Sequence, residues 1–131
     1  MLEIIDNRNI QITRGNVLPL TVIAENEGTQ YEFLKDDIIR FKIMEAKKVE
    51  NILLEKDFII EENMLEKDIE MTAEEMKIGE LISKPKDYWY EVELNPDTPY
   101  TKTIIGYDKE LGPAILTLLP EGGDMVDKNK E

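Results

Sequence analysis

The 131-residue chain carries 29 Asp and Glu against 16 Lys and Arg, a formal charge of −13, so a phosphate backbone or an anionic membrane is repelled rather than drawn in. It contains neither cysteine nor histidine, which excludes disulfides, thiol nucleophiles, zinc sites of the usual ligand set and the ordinary neutral-pH general base. Its 41% hydrophobic residues include no apolar run near the roughly 20 residues that span a bilayer, and "MLEIIDNRNIQ" lacks the basic and apolar regions of a leader, so the expectation is one soluble domain that is not exported.

Ile10 and Ile12 alternate with Asn9, Gln11 and Thr13, the two-residue period of a strand, and "RGN" at 14–16 breaks that period with a glycine suited to a turn. Leu18, Leu20, Val22 and Ala24 then fall on one face of a second strand, in which Pro19 cannot donate to a ladder and so marks an edge or a bulge. "ENEGTQ" supplies a turn. Tyr31 and Phe33 alternate again, and after "KDD" Ile39, Phe41 and Ile43 share one face with Arg40 and Lys42 opposite. The apolar stretch 51–60 has the length of a strand rather than of a helix.

The segment 61–84 is rich in helix formers, and Met64, Met71 and Ile78 recur every seven positions, so one continuous helix is the rival reading there. Thr72 with Glu75 three residues on forms a capping box, however, and a helix start at 72 implies that the preceding residues are something else. The expectation is a strand over 65–71, a short helical turn near 73–78 and a stop at Gly79. In "YWYEVELN", Tyr88, Tyr90, Val92 and Leu94 take one face and Trp89, Glu91 and Glu93 the other. "NPDTP" turns the chain, 101–105 and 114–119 make two further extended runs, and Pro120 ends the last. About eight short strands separated by turn signals predict an all-β sandwich or barrel over residues 1–120, with a flexible acidic tail over 121–131.

No residue announces a reaction. Asp36 and Asp37, with Glu25 and Glu27 nearby, could converge on a hard cation, but the stretch lacks the regular calcium-loop pattern, and a polar hairpin connection accounts for them; Asp97 and Asp108 read the same way. With 29 acids, some pair will meet glycosidase spacing by chance, so spacing marks no catalytic residue. The reading is therefore no catalytic residue, no cofactor and no metal ligand. Trp89, on the face opposite Tyr88 and Tyr90, is the candidate anchor for a partner, and Trp89, Tyr88 and Tyr90 together are the candidate interface residues.

The order of segments carries more information than any one of them. "IQITRGNVLPLTV", "EGTQYEFLKDDIIRFKI", "IEMTAEEMKIG", "YWYEVEL" and "KTIIGYDKE" succeed one another in a way that resembles the N-terminal domain of upper baseplate proteins and related small tail structural proteins of phages and prophages of Gram-positive bacteria. Arg14 and Gly15 stand at an R-G-D-like turn, with Asn16 where that family usually has aspartate. Gly28, Tyr31 and Phe33 match a "G-x-x-Y-x-F" hairpin; Asp37, Ile39, Arg40 and Phe41 match a "D-x-I-R-F" strand; and "ELISKPKD" looks like an insertion.

The resemblance implies a single antiparallel β-sandwich, immunoglobulin-like in outline, that works as a non-enzymatic structural module of a tail or baseplate. It implies other tail or baseplate proteins as partners, homo-oligomers within the assembly, and a virion location after a cytoplasmic stage in the host. Nucleic acid and membrane are not expected partners, and receptor binding is not carried over. The alternative is a carbohydrate-binding β-sandwich module using exposed aromatics, with a carboxylate-dependent hydrolase third.

Overall fold

A computed structural model describes residues 2–5, 8–26 and 28–121. Its regular elements are all strands: β1 (Leu2–Ile5), β2 (Asn9–Thr13), β3 (Leu18–Val22), β4 (Glu25–Asn26), β5 (Thr29–Gln30), β6 (Ile38–Glu45), β7 (Lys48–Ile59), β8 (Lys67–Met71), β9 (Lys86–Leu94), β10 (Lys102–Ile105) and β11 (Ile115–Leu119). The all-β expectation holds. The expected tail over 121–131 lies outside the described residues apart from Glu121.

Seven strands form one sheet in the order β1-β2-β11-β9-β6-β7, with β10 also on β9. β9 organises it. One edge of β9 pairs with β6 from Ile39↔Leu94 to Glu45↔Tyr88. The other edge is shared: β11 takes its first half, with Ile115 opposite Trp89, and β10 takes its second, with Lys102 opposite Leu94. The sheet is mixed rather than purely antiparallel, because β11 lies parallel to β2, with Leu116 opposite Ile10. A parallel pair requires a long crossover. Here that crossover is nearly the whole chain, an arrangement that local alternation cannot reveal.

Alternation does set which face is dry. Ile39, Phe41 and Ile43 of β6, Tyr88, Tyr90, Val92 and Leu94 of β9, and Leu116 and Leu118 of β11 are all buried on one side. A two-stranded ribbon, β3 with β8, supplies Leu18, Val22, Ile69 and Met71 to the same cluster. Phe33, Met76 and Ile78 join it from the connecting segments. Pro19 sits in β3, whose strand partner among the described residues is β8 alone, so it occupies an edge strand, where a residue without an N–H is tolerated. The expected extension of strand through Tyr31 and Phe33 reduces to one bridge, in which Phe33 and Met64 exchange backbone hydrogen bonds of 2.8 and 3.0 Å.

The helical turn expected near 73–78 is not a helix. Its capping box is present: Glu75 N donates to Thr72 Oγ1 at 3.2 Å, and Thr72 N donates to Glu75 Oε1 at 2.7 Å. One bond of helical span comes next, Met76 N to Thr72 O at 3.0 Å, and Gly79 then turns the chain at φ 65°. A first turn fixes several torsions for one hydrogen bond, so a cap without further residues to propagate into gives a turn and no helix. At Gly79 a Cβ would lie 2.9 Å from the Tyr88 hydroxyl oxygen, which requires glycine there a second time.

The Thr72 turn also fastens the β3-β8 ribbon to the sheet, since Lys56 of β7 bonds both Glu75 (2.9 Å) and the Glu70 carbonyl (3.0 Å). The Thr72 amide, and then Lys56, hold the Glu75 carboxyl below its ordinary value. A depressed carboxyl stabilises the fold above the ordinary carboxylate range and stops doing so as pH falls through its folded value. Glu75→Gln is therefore expected to lose about 1 kcal/mol at neutral pH, and the gap in urea midpoint between wild type and variant should close in acid. A gap that stays constant with pH would show that the carboxylate charge plays no part.

Candidate interaction surfaces

The outer face of the sheet is a charged lattice crossed by an apolar row. Arg40 bonds Asp57 at 2.7 Å and Asp97 at 3.0 Å. Lys42 lies 3.5 Å from Glu91 and 3.2 Å from Glu93. Cross-strand pairing explains these contacts, because Arg40 is registered between Asp57 and Glu93, and Lys42 opposite Glu91. The bidentate bond from Arg40 holds the Asp57 carboxyl below its ordinary value. The lattice fixes neighbouring strands to one another and leaves no acid isolated for chemistry at these positions.

The apolar row runs through Met44, Trp89 and Ile115, which the register places side by side on β6, β9 and β11. Trp89 is half-buried and lines a cavity of about 230 Å³ with Met44, Val49, Tyr107 and Pro113. Of the three candidate interface residues, only Trp89 reaches the surface in part. Tyr88 and Tyr90 are each 2% exposed, a correction to their grouping as contact residues, because the alternation that puts Trp89 outward puts both neighbours into the core. The Tyr90 hydroxyl donates to the Arg8 carbonyl, and burial pushes its pKa up to about 12.

The acidic loop residues serve the fold. Asp37 accepts from the Tyr31 hydroxyl (2.9 Å), the Leu34 amide (2.9 Å) and the Asn95 amide group (3.1 Å). Asn95 in turn accepts from Ile38 N at 2.9 Å, so the loop, the start of β6 and the end of β9 are one knot. Asp36 is exposed at φ 77°, a turn position, and Glu27 lies outside the described residues. Asp108 caps its own turn through the amides of Glu110 and Leu111, which hold its carboxyl below the ordinary value. Among the described residues no group of three or more Asp or Glu is placed to hold a metal ion.

β7 is a long edge strand with many exposed residues. It pairs with β6 on one side and, among the described residues, with no strand on the other. Twelve residues long, it exposes Val49, Ile52, Leu53 and Ile59. Its pairing with β6 is unbroken from Leu54 to Ile59 and irregular before that, since Leu53 has no partner between Ile43↔Leu54 and Met44↔Ile52.

Two features were beyond sequence reasoning. Arg14 donates to the carbonyls of Lys77, Ile78 and Gly79 and pairs with Glu121 at 2.7 Å; the "RGN" stretch signals the turn and not this clamp. Arg8 lines a groove of about 800 Å³ between the ribbon side and the β10 side of the molecule, and nothing local distinguishes it from any other surface cation.

Fold and surfaces together define an all-β protein built on a mixed seven-stranded sheet, with an open edge and a half-exposed tryptophan. Among the described residues no helix is long and apolar enough to cross a membrane. Comparison with protein-family models, curated proteins and solved structures found no match.

Proposed function

We propose that this chain is a non-enzymatic structural protein of a phage or prophage tail or baseplate that works by docking to other components of the assembly. In this reading the seven-stranded sheet and the ribbon are the two layers of an open β-sandwich, immunoglobulin-like in outline. The observation that carries the docking role is the edge of β7 that no strand among the described residues covers, with its exposed Val49, Ile52, Leu53 and Ile59. An uncovered edge of this length is a template for a strand from another chain. The leucine without a partner at position 53 interrupts the edge and confines regular pairing to 54–59. The order of sequence segments from "IQITRGN" to "KTIIGYDKE" supplies the link to tails.

The test is co-purification with the products of neighbouring genes. A tail setting predicts tape-measure, portal or lysis genes beside this one, and a complex with one of the tail products. The double substitution Leu53→Lys and Ile59→Lys should weaken that complex at least about tenfold while changing the stability of the free chain by no more than about 0.5 kcal/mol, as both side chains are exposed. Metabolic genes on both sides, or a complex indifferent to the substitutions, overturns the reading.

A further inference from the structure

The groove of about 800 Å³ has the size of a small-molecule site. One wall comes from the end of β3 and the residues after it, including Thr21, Glu25 and Tyr31; the other comes from β10 and the loop beyond it, including Lys102, Thr103 and Tyr107. Arg8 is half-buried in its lining. The Arg8 guanidinium is held by two carbonyls, with Nη2 donating to Gly106 O at 2.6 Å and to Gly112 O at 2.9 Å, and its own carbonyl is held by the Tyr90 hydroxyl. Among the described residues no carboxylate pairs with it, whereas Arg14 and Arg40 each have one. Asp108 shares the groove and its carboxylate feels the Arg8 charge, but only from beyond ion-pair distance, and its Oδ1 is taken by two amides of its own turn.

Carbonyls orient a guanidinium without neutralising it. Arg8 is thus an oriented, partly desolvated positive charge with N–H groups to spare, and such a group gains from an anion more than a fully solvated lysine does. Lys102 adds a second positive charge to the same lining. The overall charge of −13 opposes polyanions at long range, so the anion that fits is a single charge on a small body. The rest of the lining, tyrosine rings with threonine and glutamate side chains, suits a hydroxylated ring, offering apolar faces and acceptors for hydroxyl groups.

We propose that this groove binds a small carboxylate-bearing sugar of the uronate class, with Arg8 and Lys102 taking the carboxylate. The test is an NMR titration of the full chain with glucuronate, with glucose as its neutral counterpart and inorganic phosphate as a bare anion. Glucuronate should move the Gly106 and Gly112 amide resonances saturably, with glucose at least about tenfold weaker, the effect expected for loss of a charge-assisted hydrogen bond. Arg8→Gln should abolish the response. Because that change also removes two cross-loop hydrogen bonds, Lys102→Glu, at an exposed position, serves as the second variant and should weaken binding about fivefold with the spectrum otherwise intact. The absence of a saturable glucuronate response overturns the proposal, as does equal binding of glucose. Phosphate binding as tightly as glucuronate also overturns it, because the sugar body would then contribute nothing.

Discussion

Phe41→Ala is expected to lower the free energy of unfolding by about 4 kcal/mol, near the upper part of the range for large-to-small changes in a core. Phe41 is fully buried on β6, opposite Val92 of β9 on one side and Lys56 of β7 on the other. Its ring packs on that of Tyr90 with centroids 5.8 Å apart. The size of the loss depends on whether neighbours can move into the space. Tyr90 is pinned at its far end by the bond to the Arg8 carbonyl, and the flanking strands are fixed by the Arg40 and Lys42 lattice on the opposite face. The void should therefore persist. Urea unfolding followed by circular dichroism, with the slope unchanged, measures the effect. A loss below about 2 kcal/mol would mean that the core collapses around the deletion instead of keeping its shape.

Arg14→Ala should cost about 3 kcal/mol, the scale of a buried, multiply bonded charged donor. The side chain is 10% exposed and caps the carbonyls of Lys77, Ile78 and Gly79 at 3.2, 2.9 and 3.0 Å while pairing with Glu121. Those carbonyls directly follow the turn that opens at Thr72, so Arg14 performs the work that a further helical turn would have done. The backbone adds to the clamp, with Arg14 N donating to Leu119 O at 3.0 Å and Gly15 N to Met76 O at 3.2 Å. Gly15 sits at φ 86°, which a side chain would oppose. Arg14→Lys should recover less than half of the loss, because an ammonium cannot present the planar fork that spans three carbonyls. Glu121→Gln should cost much less, since it leaves the three carbonyl bonds intact. Full rescue by lysine would show that charge, and not geometry, is what the site needs.

The two sites differ in how far local sequence reveals them. Phe41 is legible because β6 alternates cleanly, and a strand with one dry face forces Ile39, Phe41 and Ile43 inward and Arg40 and Lys42 outward. Trp89 is legible for the same reason, and that same period removes Tyr88 and Tyr90 from the surface. Arg14 is half legible: its turn shows in the glycine, but its bonds reach more than sixty residues along the chain. The capping box at Thr72 forms as its sequence predicts, yet whether it opens a helix is decided by the residues beyond Glu75, where the chain turns into the core through Met76 and Ile78.

The acidic loop shows the same division. Asp36 and Asp37 are turn residues on sequence grounds, but that Asp37 ties Tyr31 to Asn95 is a fact of packing. β1 escaped the alternation reading altogether, as did the parallel docking of β11 on β2.

Amino-acid order by itself determined most of the longer strands, their dry faces, most of their turns, and the absence of thiol and imidazole chemistry, because alternation, turn propensity and residue inventory are local or compositional properties. Only the tertiary structure decided the mixed sheet, the open edge of β7, the clamp at Arg14 and the carbonyl-held charge of Arg8. Each of these depends on which distant segments become neighbours, and that choice is made by burying one shared core rather than by any stretch of sequence on its own.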